Sequence, residues 1–517
     1  MTSKFPTCFA AFLMTLTLPP VLVGQTTVNG QSPHHHYKLI DLGTLGGPSA
    51  YKSVNAPGYQ ILTNAGEIAF AADTPMPDPF SPNCYNPDCF VTHATQWKNG
   101  VLTDLGALGD SGDSSASGAI NARGWIVGQS EDGEIDPISG LPEIHATLWH
   151  DGRITDLGTF DGHWSIGLTL NDAGDVVGFA TNSIPDPFAL FPPAGTQSRA
   201  FRWRKGELSD LGTLGGDDAQ AVSVNRGGQI VGISYTDTIP NDTTGIPTVH
   251  PFLWERGRMA DLGTLGGTYA GGGSCNFGAS CTSPVPQYEG SLLINNRSQV
   301  IGTSNLAGDQ CFHPFLWEKG KMRDLGTLGG DNGVAIWLTD NGEVVGQADV
   351  PGSQAYHGFR WKDRVITDLG TLEGDPCSRA LMANSKGQIV GGTLAICQLE
   401  TTRAFLWENG GPIIDLNSLT VADSGANLYE ADNINERGEI VASGLPAGCK
   451  DRFSCGHVYL LIPCDENHSD VEGCDSSMVD ANEKIPGPAF TQTPASRLPS
   501  AFGQGRPRFS FFTNRPR

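Results

Sequence analysis

The chain is short of charge, and of positive charge above all. Of its 517 residues 17% are Asp, Glu, Lys or Arg, and 55 acids face 32 bases, for a net charge of -23. Phosphate neutralisation needs a basic footprint, so the balance argues against a nucleic-acid partner. Long hydrophobic runs are scarce as well. Beyond the N-terminal segment no stretch reaches the roughly 18 apolar residues of a spanning helix, and mean hydropathy is -0.20. Cys-x-x-Cys, His-Glu-x-x-His and the Gly-x-Ser-x-Gly elbow are absent, and no Cys/His spacing matches a zinc site. No isolated carboxylate pair stands out. The glycines of Gly263-Thr264-Leu265-Gly266-Gly267 resemble a phosphate cradle, but neither the lysine nor the helix pattern of a P-loop follows.

What the chain has in excess is glycine, 67 residues, beside 34 prolines. That composition fits short elements joined by many turns. Lys4, the apolar stretch from Pro6 to Gly24 and a small residue before Gln25 read as a cleaved secretory signal over residues 1–24. Pro19 and Pro20 would break a membrane-spanning helix. Cysteine usage fits an oxidising compartment. Apart from Cys8, most cysteines form neighbouring pairs: Cys84 with Cys89, Cys275 with Cys281, Cys377 with Cys397, Cys449 with Cys455 and Cys464 with Cys474. Each pair is expected to staple a loop, with Cys311 left over. The run His34-His35-His36 lies in a linker, residues 25–36, and is expected to be inert.

The dominant feature is self-similarity. Asp-Leu-Gly-Thr-Leu-Gly-Gly occurs intact from Asp41, Asp210, Asp261 and Asp324, and in degenerate form from Asp104, Asp156, Asp368 and Asp415. An interval of about 50 residues marks a propeller or solenoid, whereas length alone, at about 150 residues per domain, suggests three or four domains. Trp97, Trp149, Trp203, Trp254, Trp317 and Trp361 each precede their aspartate by seven residues, and Trp407 by eight. Between aspartate and tryptophan comes a second signature, Asn-x-x-Gly-x-Ile-Val-Gly in the unit at Asn225. That unit reads as four strands, Ala221–Asn225, Gln229–Tyr235, Pro251–Glu255 and Arg258–Leu262, with two-residue turns such as Asn99-Gly100 and Asp151-Gly152 elsewhere. Repeated four-strand meanders are propeller blades. The segment Tyr37–Leu42 is a fourth strand lacking its third, and the segment from His457 to Pro463 a third lacking its fourth. Joined, they complete one blade and remove an open sheet edge. The expected fold is therefore all-β: a β-propeller of eight four-stranded blades over residues 37–463, with seven blades and an accessory unit as the alternative. Residues 464–517, with a basic end, read as a disordered tail carrying a possible disulfide loop.

A histidine or arginine opens each third strand: His93, His145, Arg199, His250, His313, His357, Arg403 and His457. Through the turn that sets Glu255 against Arg258, Asp261 faces Phe252 and His250 becomes its diagonal neighbour. The same logic couples these residues to Asp104, Asp156, Asp210, Asp261, Asp324, Asp368, Asp415 and Asp41 in turn. A feature present in every unit is architectural, so these pairs are expected to satisfy one another, not a metal. The repeated tryptophans read as packing between blades.

Loop length breaks the symmetry. The connections Asp73–Thr92, Glu131–Ile144, Asn182–Ser198, Thr236–Val249 and Thr268–Gly290 all emerge on one face, where function tends to sit. The aromatic side chains there that the repeat does not explain, His163, Trp164, Tyr85, Tyr269 and Tyr288, are the candidate ligand contacts. The acidic loops Asp110–Asp113, Glu131–Asp136, Asp217-Asp218 and Asp465–Asp475 could offer oxygens to calcium, although ordinary solvated turns explain them and no cofactor is expected.

With His/Arg-x-Phe-x-Trp, Asp-Leu-Gly-Thr-Leu-Gly-Gly and Asn-x-x-Gly-x-Ile-Val-Gly together, the chain resembles the HAF-repeat family of bacterial extracellular proteins over roughly Tyr37 to Pro463. Thr95 and Thr147 depart from the phenylalanine, and Asn417 from the glycine. The resemblance implies export and a repeat fold, and carries no catalytic residues. The leading functional expectation is a secreted or cell-surface module, monomeric, that binds extracellular carbohydrate or protein through its loop-rich face. A polysaccharide lyase or hydrolase with carboxylates near the channel is the second reading, and a purely structural exoprotein the third.

Overall fold

A computed structural model describes residues 34–468, apart from 53–57, 111, 138, 192–193, 243–244, 273–289, 398–400 and 421–424, together with 474 and 478–479. The expected signal, most of the linker, Tyr288, Cys275 and Cys281 lie outside the described residues. The class is all-β, with 53% of residues in strands and 2% in helix. Among the described residues no helix is long and apolar enough to cross a membrane.

The strands form antiparallel meanders. Four sheets hold one meander each: Ala50–Tyr51 to Val101–Asp104, Gly333–Leu338 to Val365–Gly370, Cys377–Ala383 to Ile414–Asp415, and Asn427–Ile434 to His457–Pro463 with Tyr37–Asp41 added. An eight-stranded sheet is two meanders, Ser115–Ile120 to Arg153–Asp156 and Asp161–Leu170 to Glu207–Asp210, joined where Trp164 pairs in parallel with Ile144. A nine-stranded sheet likewise joins Ala219–Val224 to Arg258–Asp261 with Gly266–Gly271 to Lys321–Asp324, where Val249 meets Tyr269. Tyr37 pairs with Pro463 and Asp41 with Tyr459, so the two chain ends share one sheet.

The repeat motifs explain how the meanders form and stack. In the two-residue turns the residue before glycine is left-handed, φ 50° at Asn99 and 51° at Asp151, the geometry that matches strand twist. The glycine of Ile-Val-Gly answers to a different constraint. The first strand bulges opposite it, and a Cβ on Gly232 would lie 2.0 Å from the Gln220 carbonyl oxygen. The Asn-x-x-Gly asparagine bonds the next meander. Asn121 Nδ2 donates to the Asn171 carbonyl at 3.0 Å, Asn171 to Asn225 at 3.1 Å, Asn225 to Asn295 at 3.0 Å and Asn295 to Thr339 at 3.0 Å. Threonine cannot extend this relay with an amide, and at that junction Trp337 Nε1 donates to the Ala383 carbonyl, 3.0 Å. Asn384 then donates to Asn435 at 3.1 Å, and Asn435 donates to Thr63 of the first meander at 3.0 Å. The apolar clusters also straddle neighbours. One packs Ile68 and Phe70 of the first meander against Val441, Val458 and Leu460 of the last. Trp149 packs on Ala69 and Ala94 of the preceding meander, and the Arg360 guanidinium lies 5.4 Å from the Trp407 ring centre.

One expectation about the linker is corrected. His34–His35 forms a strand with Met478–Val479, and His34 is buried with Nδ1 2.6 Å from Glu408, so this part of the linker is packed. The possible disulfide loop at the start of the expected tail is present, with a short 3-10 turn at Glu466–His468, and most of that tail lies outside the described residues. Four disulfides close locally. Cys84 bonds to Cys89, Cys377 to Cys397, Cys449 to Cys455 and Cys464 to Cys474. Three of them span ten residues or fewer, whereas the bridge from Cys377 to Cys397 encloses a whole hairpin, the first two strands of its meander. Cys474 thereby ties the segment past Pro463 back to Cys464 at the end of the last strand. Cys311 is itself disulfide-bonded, which corrects its place as the leftover cysteine. Nearness in sequence does not register what the fold brings to Cys311.

Candidate functional site

In the meanders that begin at Ser115, Asp161, Ala219 and Gly333, strands one and two and strands three and four connect tightly at one end, the turn end, and the opposite end is the loop end. At the loop end the second strands of the first three meanders are ten residues long, Ile68–Pro77, Ile126–Ile135 and Val176–Pro185, against six for Ile230–Tyr235. Pairing with the third strand shifts register in each extension. The tips end in exposed apolar side chains: Met76 at 36%, Ile135 at 46% and Ile184 at 52%, with Ile239 at 73% in the corresponding loop of the fourth meander. Ile396 and Phe453 are exposed in the same connection of later meanders.

The loop aromatics proposed as ligand contacts sit otherwise. Trp164 is 1% exposed and its Nε1 donates to Asp136 at 2.9 Å. Tyr85 is 1% exposed and its hydroxyl accepts from Gln129 Nε2 at 2.8 Å, and Tyr269 is buried too. These three cannot serve as an open stacking surface. Tyr85 and Trp164 share one apolar cluster with Phe191, and Tyr269 lies in another with Ile246 and Val249. Several acidic-loop carboxylates are similarly absorbed. Asp113 accepts the Asp110 amide at 2.6 Å, Asp136 accepts the Ser139 hydroxyl at 2.7 Å, and Asp218 accepts the amides of Leu190, 2.5 Å, and Ser198, 2.8 Å. Burial pushes Asp218 up to about 7 against those amides.

The repeated pairs form a regular ladder. His93 and Asp104, His250 and Asp261, His313 and Asp324, and His357 and Asp368 meet at 2.9 Å, His145 and Asp156 at 3.0 Å, and His457 and Asp41 at 2.8 Å. Arg199 Nε reaches Asp210 at 2.9 Å. Arg403 departs from the expected partner: it binds Asp375 at 2.8 Å and stays 4.0 Å from Asp415. Asp415 accepts the amide two residues on, as its counterparts do, but here that residue is Asn417, whose side chain also donates to Asp415 at 2.9 Å, and the segment turns as a short 3-10 helix. In Asp41, Asp104, Asp156, Asp324 and Asp368 burial works to raise the pKa, but the histidine and the glycine amide two residues on outweigh it and hold each carboxyl below its usual range.

One member of the ladder differs in what its second nitrogen faces. His145 gives Nδ1 to Asp156, and its Nε2, like that of His93, is buried without a hydrogen-bond partner. Asp132 Oδ2 lies 3.6 Å from that nitrogen and Glu143 Oε2 3.9 Å. Glu143 is two residues before His145 on the same strand, so both face one side. Asp132 comes across from the extended second strand, where Ser130 pairs with His145. His163, next to the Trp164–Ile144 parallel contact, reaches Glu143 Oε1 through Nδ1 at 2.6 Å and, among the described candidates, is the one left substantially open, at 35%. Burial lowers the His145 pKa, yet the bond from Asp156 and the charges of Asp156, Asp132 and Glu143 raise it overall.

No family model matches the chain, and no curated protein does. Among solved structures it is similar to the β-propeller domain of the Trilobed protease from Pyrococcus furiosus, at 8% identity over 71% of this chain and 98% of that one, TM-score 0.40. It is also similar to an acylaminoacyl peptidase of Pyrococcus horikoshii, at 10% identity over 77% of this chain and 58% of that one, TM-score 0.40. A third similarity is to a Trypanosoma rangeli sialidase, at 11% identity over 83% and 92%, TM-score 0.31. The chain thus spans little more than half the length of the peptidase.

A second cluster was missed in the sequence because its parts lie far apart in the chain. Lys52, just past the first strand, contacts Glu430 and lies 2.6 Å from Asp432, both on the first strand of the last meander. Ser443 donates to Asp432 at 2.8 Å. Burial raises both carboxyls, but Lys52 and the nearby Arg379 and Arg452 pull Glu430 down, while Asp432 stays raised. The available signal was the acid at Asp432, where other units carry an apolar residue or glycine (Gly118, Leu168, Val222, Leu292, Ile336 and Leu381).

Proposed function

We propose that the chain is an exported eight-bladed β-propeller, closed by its N-terminal strand, that recognises a protein partner through the loop end of its first four blades. The observation that carries the choice of partner is the row of exposed Met76, Ile135, Ile184 and Ile239 at corresponding tips of four successive meanders. Apolar side chains repeated at one end of a scaffold favour contact with another protein. Sugar binding would call for open aromatic faces, and Tyr85, Trp164 and Tyr269 are withdrawn. The inter-meander bonds that return from Asn435 to Thr63 support closure, and the paired cysteines support an oxidising compartment. Membership of the HAF-repeat family belongs to the same reading and rests on the motifs.

The deciding experiment is capture of extracellular proteins by the full chain beside Ile184→Asp/Ile239→Asp, with a glycan array in parallel. A protein held by the wild type, released by the double variant, and no glycan signal is the expected result. Glycan binding, or capture indifferent to both substitutions, overturns it. A second reading, a lyase or hydrolase, is favoured by Glu430 and Asp432, whose protonation is pushed in opposite directions. Its test is polysaccharide cleavage that Asp432→Asn abolishes.

A further inference from the structure

We infer that Asp132, Glu143 and His145 form a binding site for one divalent transition-metal ion of the zinc type. Their ligand atoms all lie within 4.8 Å of one another. Two donors bound at about 2.1 Å in a tetrahedral shell sit about 3.4 Å apart, so separations of 3.6 and 3.9 Å from His145 Nε2 need only small side-chain movements to close on an ion. The remaining groups already act as outer partners. Asp156 on Nδ1 of His145 fixes the ring so that Nε2 is the nitrogen turned to the acids, the carboxylate–histidine arrangement that supports metal ligands. His163 holds the other oxygen of Glu143 at 2.6 Å.

The electrostatics point the same way. Three carboxylates converge on two imidazoles, and the Nε2 atom nearest Asp132 and Glu143 is buried and makes no hydrogen bond. A cation there meets an otherwise unmet demand. A nitrogen donor among oxygens selects zinc, cobalt or nickel over calcium. Other histidines of this register share the backing aspartate but not the site. Among the described residues His250, His313 and His357 have no second carboxylate within 4 Å. Asp132 and Glu143 come from the long Glu131–Ile144 connection, not from the repeat. Three protein ligands leave a fourth position for water or for an oxygen of a bound partner at the loop end.

The test uses the full chain, stripped with chelator and titrated with Co2+ as a visible reporter, then with Zn2+ in competition. Wild type and His250→Gln are expected to show the same tetrahedral cobalt spectrum and the same thermal stabilisation by Zn2+. Asp132→Asn and His145→Gln are expected to bind one ion fewer, and His163→Gln to bind it about tenfold more weakly. Asp132→Asn retains an oxygen for the Glu134 amide that Asp132 Oδ1 accepts at 3.0 Å, so it guards against misfolding of the histidine variant. The His34-His35-His36 run contributes equally to every protein compared. Equal ion counts and spectra in wild type and Asp132→Asn, or no cobalt spectrum in any, would mean an imidazolium ion pair and no metal site.

Discussion

At the turn end, Asn121, Asn171, Asn225, Asn295, Asn384 and Asn435 each do the same thing, donating to a carbonyl of the following meander. At the loop end, His145 and His250 share a register and an aspartate, yet only His145 looks onto two further acids. The turn end is where the repeat enforces one geometry, because any asparagine that fails there leaves buried amides and carbonyls unpaired. The loop end is free to vary, since its backbone is paired locally by extended hairpins. Identical motifs therefore carry stacking at one end and acquire individual chemistry at the other.

That contrast can be broken at its weakest seam first. Deleting residues through Asp41 exposes the His457–Pro463 edge, with Leu460 and Leu461 losing Ile40 and Leu39. The expected outcome is self-association and loss of the cooperative thermal transition, read by size exclusion and calorimetry. A monomer melting like the wild type would show that the two ends of the chain do not depend on each other. Next, Asn435→Ala removes the donor to Thr63 and the acceptor for the amides of Arg437 and Glu439. A loss of about 2–4 kcal/mol in urea unfolding is expected, whereas Ile184→Asp at the loop end should stay within about 0.5 kcal/mol. Equal costs would erase the distinction between the ends.

The smallest effect concerns pH. Asp324 has its carboxyl held below its ordinary value, with burial opposed by the His313 bond. A depressed carboxyl contributes its full stability above the unfolded value of about 3.9 and loses it as pH falls through the lower folded value. The urea midpoint should thus fall on acidification below about pH 4, and His313→Gln should fall less steeply. Parallel acid limbs for the two proteins would remove the histidine from the account.

Periodic features were legible because the repeat samples one environment many times. Expected strands in the unit at Asn225 lie within two residues of those found, Ala219–Val224, Ile230–Tyr235, Val249–Glu255 and Arg258–Asp261. The pairing of Tyr37 with Pro463 followed from complementary half-units. Singular features were not legible. Trp164 looks like a binding aromatic in sequence, but only the fold shows Asp136 waiting for its indole. His145 was indistinguishable from its ladder mates until Asp132 and Glu143 were brought beside it. Lys52 meets Glu430 across 378 residues of chain, a distance no local pattern encodes.

The shared sheet of the two chain ends has a consequence in time. His457 and Asp41 stand 416 residues apart in sequence and 2.8 Å apart in space. A ribosome releases the first strand long before its neighbour exists, and such distant contacts are slow to find. Tyr37–Asp41 must therefore wait, unpaired and partly apolar, until His457–Pro463 has emerged, and that late strand decides when the molecule becomes one cooperative body.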